Sequence, residues 1–340
     1  MDSSGLNSFT DFCYLFLSIV LEGAPFIFFG TLISGFIDAY LPPGLIDRWL
    51  PKNRHLAVIV SALLGAIFPV CECAIVPVIR RLIRKGLPVS CAITYMLSAP
   101  IINPIVMIST YNAFSTSQGK FLLRQIDEAG TAGPLFVTLS RIGIAFIVTV
   151  GMGWLVIKKR NDSILRPELA KDIETPKFRP VSATGATMQG IGVTSPTTAK
   201  TEEPTPSHSD RLIHAMRTAM RDFVDTGMYF SIGVAITSLF KAYVTDDLVV
   251  LFNQSEYIGV NLMMVLAFVL SLCSTSDAFI AANFPVPLSA KLAFLVFGPM
   301  MDVKLVFMYL SVFKRRFVTG MAIGLFLVIG ALCYFWIHVI

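Results

Sequence analysis

A pair of cysteines with a carboxylate between them is the pattern in this 340-residue chain most able to do chemistry. Cys71, Glu72 and Cys73 lie in an apolar segment between Pro69 and Pro77, which are expected to prevent a continuous helix. Thiolates are soft ligands that suit thiophilic metals and trivalent metalloids. A carboxylate in an apolar segment is costly unless it is paired or solvated. The pattern predicts a transient site for a soft species, with Cys71 and Cys73 as its metal ligands.

Polar residues interrupt the apolar segments at three further places, two of which contain proline. Unwound backbone and exposed helix ends at mid-membrane are how transporters build binding sites. We therefore predict one substrate-binding set from all of these interruptions. Its members are Cys71, Glu72, Cys73, Ser98, Pro100, Asn103, Ser274, Thr275, Ser276, Asp277 and Asp302.

Charged residues inside apolar spans are candidates for coupling transport to an ion. Glu22 and Asp225 are acids near the starts of their spans, and Arg141 lies about a third of the way into its own. For Arg141, a structural ion pair with an acid is the competing interpretation. Asp222 is expected at the membrane interface.

The amino-acid composition indicates the class of protein to which these residues belong. Only 14% of the residues are charged and 55% are hydrophobic, with a mean hydropathy of +0.71, whereas soluble domains carry about 25% charged residues. An ordinary soluble enzyme, a disordered protein and a nucleic-acid binder are excluded. The sequence contains neither His-Glu-x-x-His nor Gly-x-Ser-x-Gly and no phosphate-binding loop, which favours a protein without enzymatic activity or cofactor.

Apolar runs of about 20 residues predict helices that cross a membrane. The clear candidates are Phe12–Tyr40, Leu135–Ile157, Thr226–Tyr243 and Phe317–Ile340, and two longer broken regions are Leu56–Phe114 and Tyr257–Phe313. The stretch 161–210 is rich in Pro, Ser, Thr and Gly, which predicts a disordered linker. The chain thus divides into a first membrane repeat (1–160), a cytoplasmic linker (161–210) and a second membrane repeat (211–340).

The two halves also match each other in order. Glu22 aligns with Asp225 and Gly30 with Gly233, and further on Asn103 aligns with Asp302. If Leu56–Arg81 and Tyr257–Phe284 enter the membrane and return on the same side, nearly all basic residues gather on one side, as the positive-inside rule prefers. The predicted fold is therefore all-α and polytopic. It has two inverted repeats, each with about three transmembrane helices and a re-entrant or broken hairpin.

The segment Pro69-x-Cys71-x-Cys73-x-x-x-Pro77, followed by a basic run from Arg80, resembles the predicted-permease family that includes ArsP-type organoarsenical efflux permeases. The resemblance implies a multi-pass inner-membrane permease, and some members of that family export trivalent organoarsenicals using cysteines. It makes Cys71 and Cys73 the expected ligands. Glu72 and Ala74 stand where the family pattern has a small residue and a glycine, and the added negative charge favours a cationic metal over a neutral arsenical.

Together these observations predict a secondary permease of the bacterial inner membrane. It would export a soft metal or metalloid species by alternating access. Its expected partners are the lipid bilayer and a small inorganic or organometalloid substrate, with no nucleic acid. The alternative is a permease for a small anion or sulfur compound, in which the cysteines only pack.

Overall fold

The computed structural model describes residues 3–41, 50–68, 70–116, 133–159, 161–167, 169, 208–243 and 256–339. Within them the regular secondary structure is helical, apart from one isolated antiparallel bridge between Leu165 and Phe313. The prediction of an all-α protein is confirmed. The helices are α1 (Ser3–Tyr40), α2 (Arg54–Ile67), α3 (Glu72–Arg84), α4 (Val89–Ser98), α5 (Pro104–Ser115), α6 (Pro134–Ile157), α7 (Asn161–Ile164), α8 (His208–Tyr243), α9 (Glu256–Leu270), α10 (Asp277–Asn283), α11 (Leu288–Met300), α12 (Val303–Leu310) and α13 (Arg315–Val339).

Four described stretches are long and apolar enough to cross a membrane: Phe9–Tyr40, Pro134–Ile157, Leu288–Leu310 and Arg315–Trp336. Three of them match predicted spans. The predicted span Thr226–Tyr243 forms the second half of α8. The fourth stretch is α11 together with α12, which the sequence places in a broken region.

The two broken helices end and restart in the same way. Every residue of α4 is buried, and α4 ends at Ser98, shortly before Asn103 accepts a 2.9 Å hydrogen bond from the Ile105 amide and caps α5. α11 ends at Met300, and Asp302 accepts a 2.7 Å bond from the Leu305 amide and caps α12. An extended cap residue with a short polar side chain is a strong helix start. Both predicted breaks are therefore present, each closed by its own cap.

The first hairpin enters and leaves the bundle at one end. A single cavity is lined by Arg54 at the start of α2, Pro88 just after α3 and Lys159 just after α6. Lys159 also lies over the ring of Phe317 near the start of α13, with 5.8 Å between the ammonium and the ring centroid. We call this the basic end. With 14 residues, α2 is about 21 Å long, too short for a hydrocarbon core of about 30 Å.

The second hairpin approaches from the opposite end. Val260 near the start of α9 lines a cavity with Tyr334, far along α13 from the basic end. At the return of the hairpin, the Lys291 ammonium donates a 3.5 Å hydrogen bond to the carbonyl of Ala282 in α10. The two hairpin tips thus point towards each other.

One local prediction needs correction. Pro77 does not interrupt a helix, because α3 continues through it to Arg84 and loses only the hydrogen bond that its missing N–H would make. Pro69 lies outside the described residues. Most of the predicted linker 161–210 lies outside the described residues, and its disorder stays a prediction. Leu165 pairs with Phe313, and α8 already begins at His208.

Candidate functional site

The two hairpin tips meet in the interior through a direct hydrogen bond. The Ser274 hydroxyl, in the turn between α9 and α10, donates to Oε2 of Glu72 at 3.2 Å. Glu72 is the first residue of α3, and Asp277 is the first residue of α10. Each tip therefore places a carboxylate at a helix N-terminus, where the helix dipole favours negative charge.

A small cavity of about 50 Å³ lies beside this contact. Such a volume holds only a few water molecules. Both tips, Lys304 and the facing sides of α1 and α8 contribute to its wall. The lining residues with thiol, carboxylate, hydroxyl or ammonium groups are Cys71, Glu72, Cys73, Ser271, Cys273, Ser276, Lys304 and Glu22.

Lys304 carries the positive charge nearest to the first tip. Its ammonium lies 3.6 Å from Oε1 of Glu72 and 3.5 Å from Oδ2 of Asp302. It also donates a 2.9 Å hydrogen bond to the carbonyl of Ser271. Ser271 has a φ of 48°, a left-handed conformation that is rare for a residue with a side chain. This turn presents its carbonyl to Lys304.

The second tip is held by Arg141 of α6. Its Nη2 lies 2.8 Å from Oδ2 of Asp277 and 3.3 Å from the carbonyl of Ser274, while Nη1 donates to the Thr110 hydroxyl at 2.6 Å. Arg141 and Asp277 are both almost fully buried. Arg141 therefore makes the ion pair that was the competing interpretation of its position.

The buried acids in contact with the tips outnumber the bases that pair with them. Three buried acids, Glu72, Asp277 and Asp302, face two bases, Arg141 and Lys304. Within the described residues, Oδ1 of Asp277 and Oδ2 of Asp302 accept no hydrogen bond. With all five groups ionised, the contacts at the tips leave one carboxylate in excess, and the buried Lys291, which donates to the Ala282 carbonyl of α10, supplies a further positive charge on the second hairpin.

The thiols come together from both halves, although not in metal-binding geometry. Cys71, Cys73 and Cys273 line the same cavity. In the described part of the chain, no three His, Cys, Asp or Glu residues are grouped closely enough to hold a metal ion. A multidentate thiol site would require the tips to shift towards each other.

The remaining predicted site residues lie around the cavity rather than in it. Ser98 donates to the Tyr95 carbonyl at 3.2 Å and belongs, with Pro100 and Asn103, to the buried break between α4 and α5. The Thr275 carbonyl accepts a hydrogen bond from Ser109. These contacts support the first break and the second tip.

The predicted coupling residues separate in space. Glu22 lines the cavity and is exposed. Asp225 lies on α8 before Phe230, outside the cavity wall, where its carboxylate is half exposed and 3.7 Å from Arg80. Only Glu22 and Arg141 of this group touch the cavity or the tips.

Asp222 is buried within the protein, and its position at the membrane interface stays a prediction. Its two oxygens accept 3.0 Å hydrogen bonds from Nε and Nη2 of Arg81. Ser34 donates to Asp222 at 3.0 Å, and Asp38 lies 3.3 Å from Nη1 of Arg81. This cluster joins α1, α3 and α8 between the cavity and the basic end. Its only sequence signal is the presence of one basic and one acidic residue in different segments.

Sequence reasoning also left Cys273 and Ser271 out of the site. Cys273 is adjacent to the predicted Ser274–Asp277 cluster, and this position in the chain could have identified it as a site residue. Lys304 is two residues from Asp302, a spacing that in a helix would not by itself bring two side chains together. Their contact arises because Asp302 is the extended cap residue of α12.

Comparison with known proteins gives a consistent result. The family model described as predicted permease (ArsP_1) matches residues 8–336. The chain is 36% identical over 315 residues to the UPF0718 protein YcgR of Bacillus subtilis (strain 168), covering 92% of each chain. It is 31% identical over 306 residues to a Streptococcus mutans serotype c protein named "Putative two-component membrane permease complex subunit", covering 89% of this chain and 87% of that protein. No solved structure matches.

Proposed function

Because the chain belongs to the ArsP_1 family of predicted permeases, we propose that it is a secondary permease that exports a soft metal or metalloid species. Membrane transport follows from the family. The substrate class rests on one observation, the lining of a single cavity by Cys71 and Cys73 from one tip and Cys273 from the other.

The path that we propose runs between two inverted repeats. α2 and α3 enter and return at the basic end, and α9 and α10 enter from the opposite end. This arrangement supports re-entrant hairpins, and the positive-inside rule puts the basic end in the cytoplasm of a bacterial inner membrane. Alternating access would expose the cavity first to one side and then to the other.

The thiols are the proposed ligands of the cargo. Thiolates bind soft species, and release of the cargo requires that their geometry not be fixed in one state. The cysteines line one cavity but are not grouped as a metal site in this conformation. Movement of the tips would bring them together on binding and separate them on release.

The electrostatics favour a cationic or neutral cargo over an anion. Glu72 and Asp302 flank Lys304, so that cation is already paired, and Arg141 is paired with Asp277. The rival function, a permease for a small anion or sulfur compound, would need one of these cations to be freed. In that case the cysteines would only pack.

Thiol protection in membranes tests this proposal. Everted vesicles would be treated with a maleimide after incubation with arsenite, methylarsenite, antimonite or cadmium, and labelling of Cys71, Cys73 and Cys273 in the wild-type chain would be compared by peptide mass spectrometry. Cys13, a half-buried thiol in α1, serves as control. We expect one of these species to protect the three tip thiols and not Cys13, and Cys71→Ser/Cys73→Ser to abolish its uptake. Unprotected but reactive tip thiols, with sulfite or thiosulfate carried instead, would favour the rival function.

A further inference from the structure

A second and larger cavity of about 370 Å³ lies at the basic end, away from the tips. It is enclosed by the start of α2, the start of α4 and the end of α6. Three basic residues, Lys52, Arg54 and Lys159, line it, and none of its lining residues is acidic. Among the described residues, no carboxylate forms an ion pair with any of the three.

The wall of this cavity contains the open end of a buried helix. α4 begins at Val89 after Pro88, whose side chain cannot accept a hydrogen bond, and its first backbone bond joins the Ala92 amide to the Pro88 carbonyl at 2.9 Å. The amides of Val89, Ser90 and Cys91 precede that bond and have no described acceptor. All three residues are at most 9% exposed and line the cavity. Buried amides at a helix start ordinarily have a partner, and anions are their common partner.

Nearby aromatic residues favour a position of this cavity at the level of lipid headgroups. Trp154, one turn before the end of α6, is 45% exposed. The ring of His55 packs edge-on against it, with centroids 5.9 Å apart. Tryptophan favours the membrane interface, and basic pockets between helices on the cytoplasmic side bind anionic headgroups. The Lys159 ammonium, held over Phe317, lies at the same level.

We propose that this cavity binds a phosphate group, supplied either by the headgroup of an anionic phospholipid or by free phosphate. The amides of Val89, Ser90 and Cys91 would bind its oxygens, and Lys52, Arg54 and Lys159 would balance its charge. α2 leads from this cavity to the first tip, and α4 leads to the first break. A phosphate bound in this cavity would therefore stabilise the positions of α2 and α4. The proposal does not depend on the identity of the exported species.

Native mass spectrometry of the full chain in detergent tests the site. Delipidated protein would be titrated with dioleoylphosphatidylglycerol, dioleoylphosphatidylcholine or inorganic phosphate. We expect one phosphatidylglycerol to be retained at least about tenfold more tightly than phosphatidylcholine, and Arg54→Gln/Lys159→Gln to remove this preference. Lys158→Gln is the matched control, because Lys158 is exposed, adjacent to Lys159 and absent from the cavity wall.

The two sources of phosphate give different results. Free phosphate would be identified as the occupant if inorganic phosphate displaced phosphatidylglycerol. Phosphate alone would then raise Tm as much as phosphatidylglycerol does. Retention of the lipid against excess phosphate would identify the headgroup. Equal binding of the two lipids, or phosphatidylglycerol binding by the double variant as tight as by wild type, would overturn the proposal. The salt dependence of wild-type binding provides the same test without a variant, since a charged site must weaken as salt rises.

Discussion

The ammonium of Lys304 lies 3.6 Å from the carboxylate of Glu72, so a base of the second half neutralises the tip of the first. The reverse relation holds on the other side, where Arg141 of the first half binds Asp277 at the tip of the second half. Each hairpin tip is thus held by a charge from the opposite half. A movement that separates the halves must break or exchange these pairs, which links the conformation of the bundle to the charge state of the cavity.

Removing Lys304 should destabilise the protein strongly. Lys304→Met leaves Glu72 and Asp302 buried without their counter-charge, which costs about 3–5 kcal/mol. Thermal unfolding in detergent should show a clear loss of Tm, and Glu72→Gln in the same chain should restore part of it. Lys158→Met, at an exposed position, is the control and should leave Tm unchanged. An unchanged Tm in Lys304→Met would refute the pairing.

Arg141 and Asp277 should be energetically coupled. We expect Arg141→Gln and Asp277→Asn each to lower stability by about 3 kcal/mol, and the double variant to lose less than the sum. Arg141→Lys keeps the charge but cannot also reach Thr110 and the Ser274 carbonyl, so vesicle uptake should fall while the protein still folds. A double-mutant cycle on unfolding free energies measures the coupling, and additive losses would contradict it.

Gly233 should be required for the position of Lys304. A Cβ at Gly233 would lie 2.6 Å from the Cα of Lys304, a backbone atom that cannot move aside cheaply. Gly233→Ala should therefore push α8 away from α12 and lower both Tm and uptake. Gly227→Ala in the same helix is the matched control, because nothing lies within 4 Å of its added Cβ. Equal behaviour of the two variants would show that α8 does not pack this closely on α12.

The Arg81–Asp222 pair should keep the cavity closed from the basic end. Breaking this buried bidentate pair with Asp222→Asn removes its charge-assisted hydrogen bonds. We expect faster labelling of Cys73 by an impermeant maleimide in everted vesicles, by about tenfold or more. Asp225→Asn, which touches only the half-exposed contact with Arg80, should change labelling little. Unaltered Cys73 labelling in Asp222→Asn would exclude a sealing role.

The basic end should face the cytoplasm. Exposed positions at the two ends, Arg316 and Asn283, can be replaced by cysteine in a chain that lacks the other thiols. We expect an impermeant reagent to label Arg316→Cys in everted vesicles and Asn283→Cys in intact cells. Lys158→Cys, at the basic end, should behave as Arg316→Cys does. The reverse pattern would invert the topology.

The sequence by itself determined the class of this protein and the places where its helices break. Low charge content requires a bilayer, and a proline or a capping residue acts on its immediate neighbours, so the breaks at Ser98–Asn103 and Met300–Asp302 are local properties. Pro77 is the exception among these local features. A helix interior can accept a proline at the loss of one hydrogen bond when surrounding contacts hold it, as Ser34 does through the Pro77 carbonyl.

Only the tertiary structure decided which polar groups share a cavity. The contacts of Glu72 with Ser274 and Lys304, and of Asp222 with Arg81, join residues more than a hundred positions apart. Their proximity depends on how far each hairpin enters the bundle and on the close approach of α8 to α12, which no local pattern encodes. For the same reason Cys273 joins Cys71 and Cys73, whereas Asp225, which matches Glu22 in sequence, pairs with Arg80 outside the cavity.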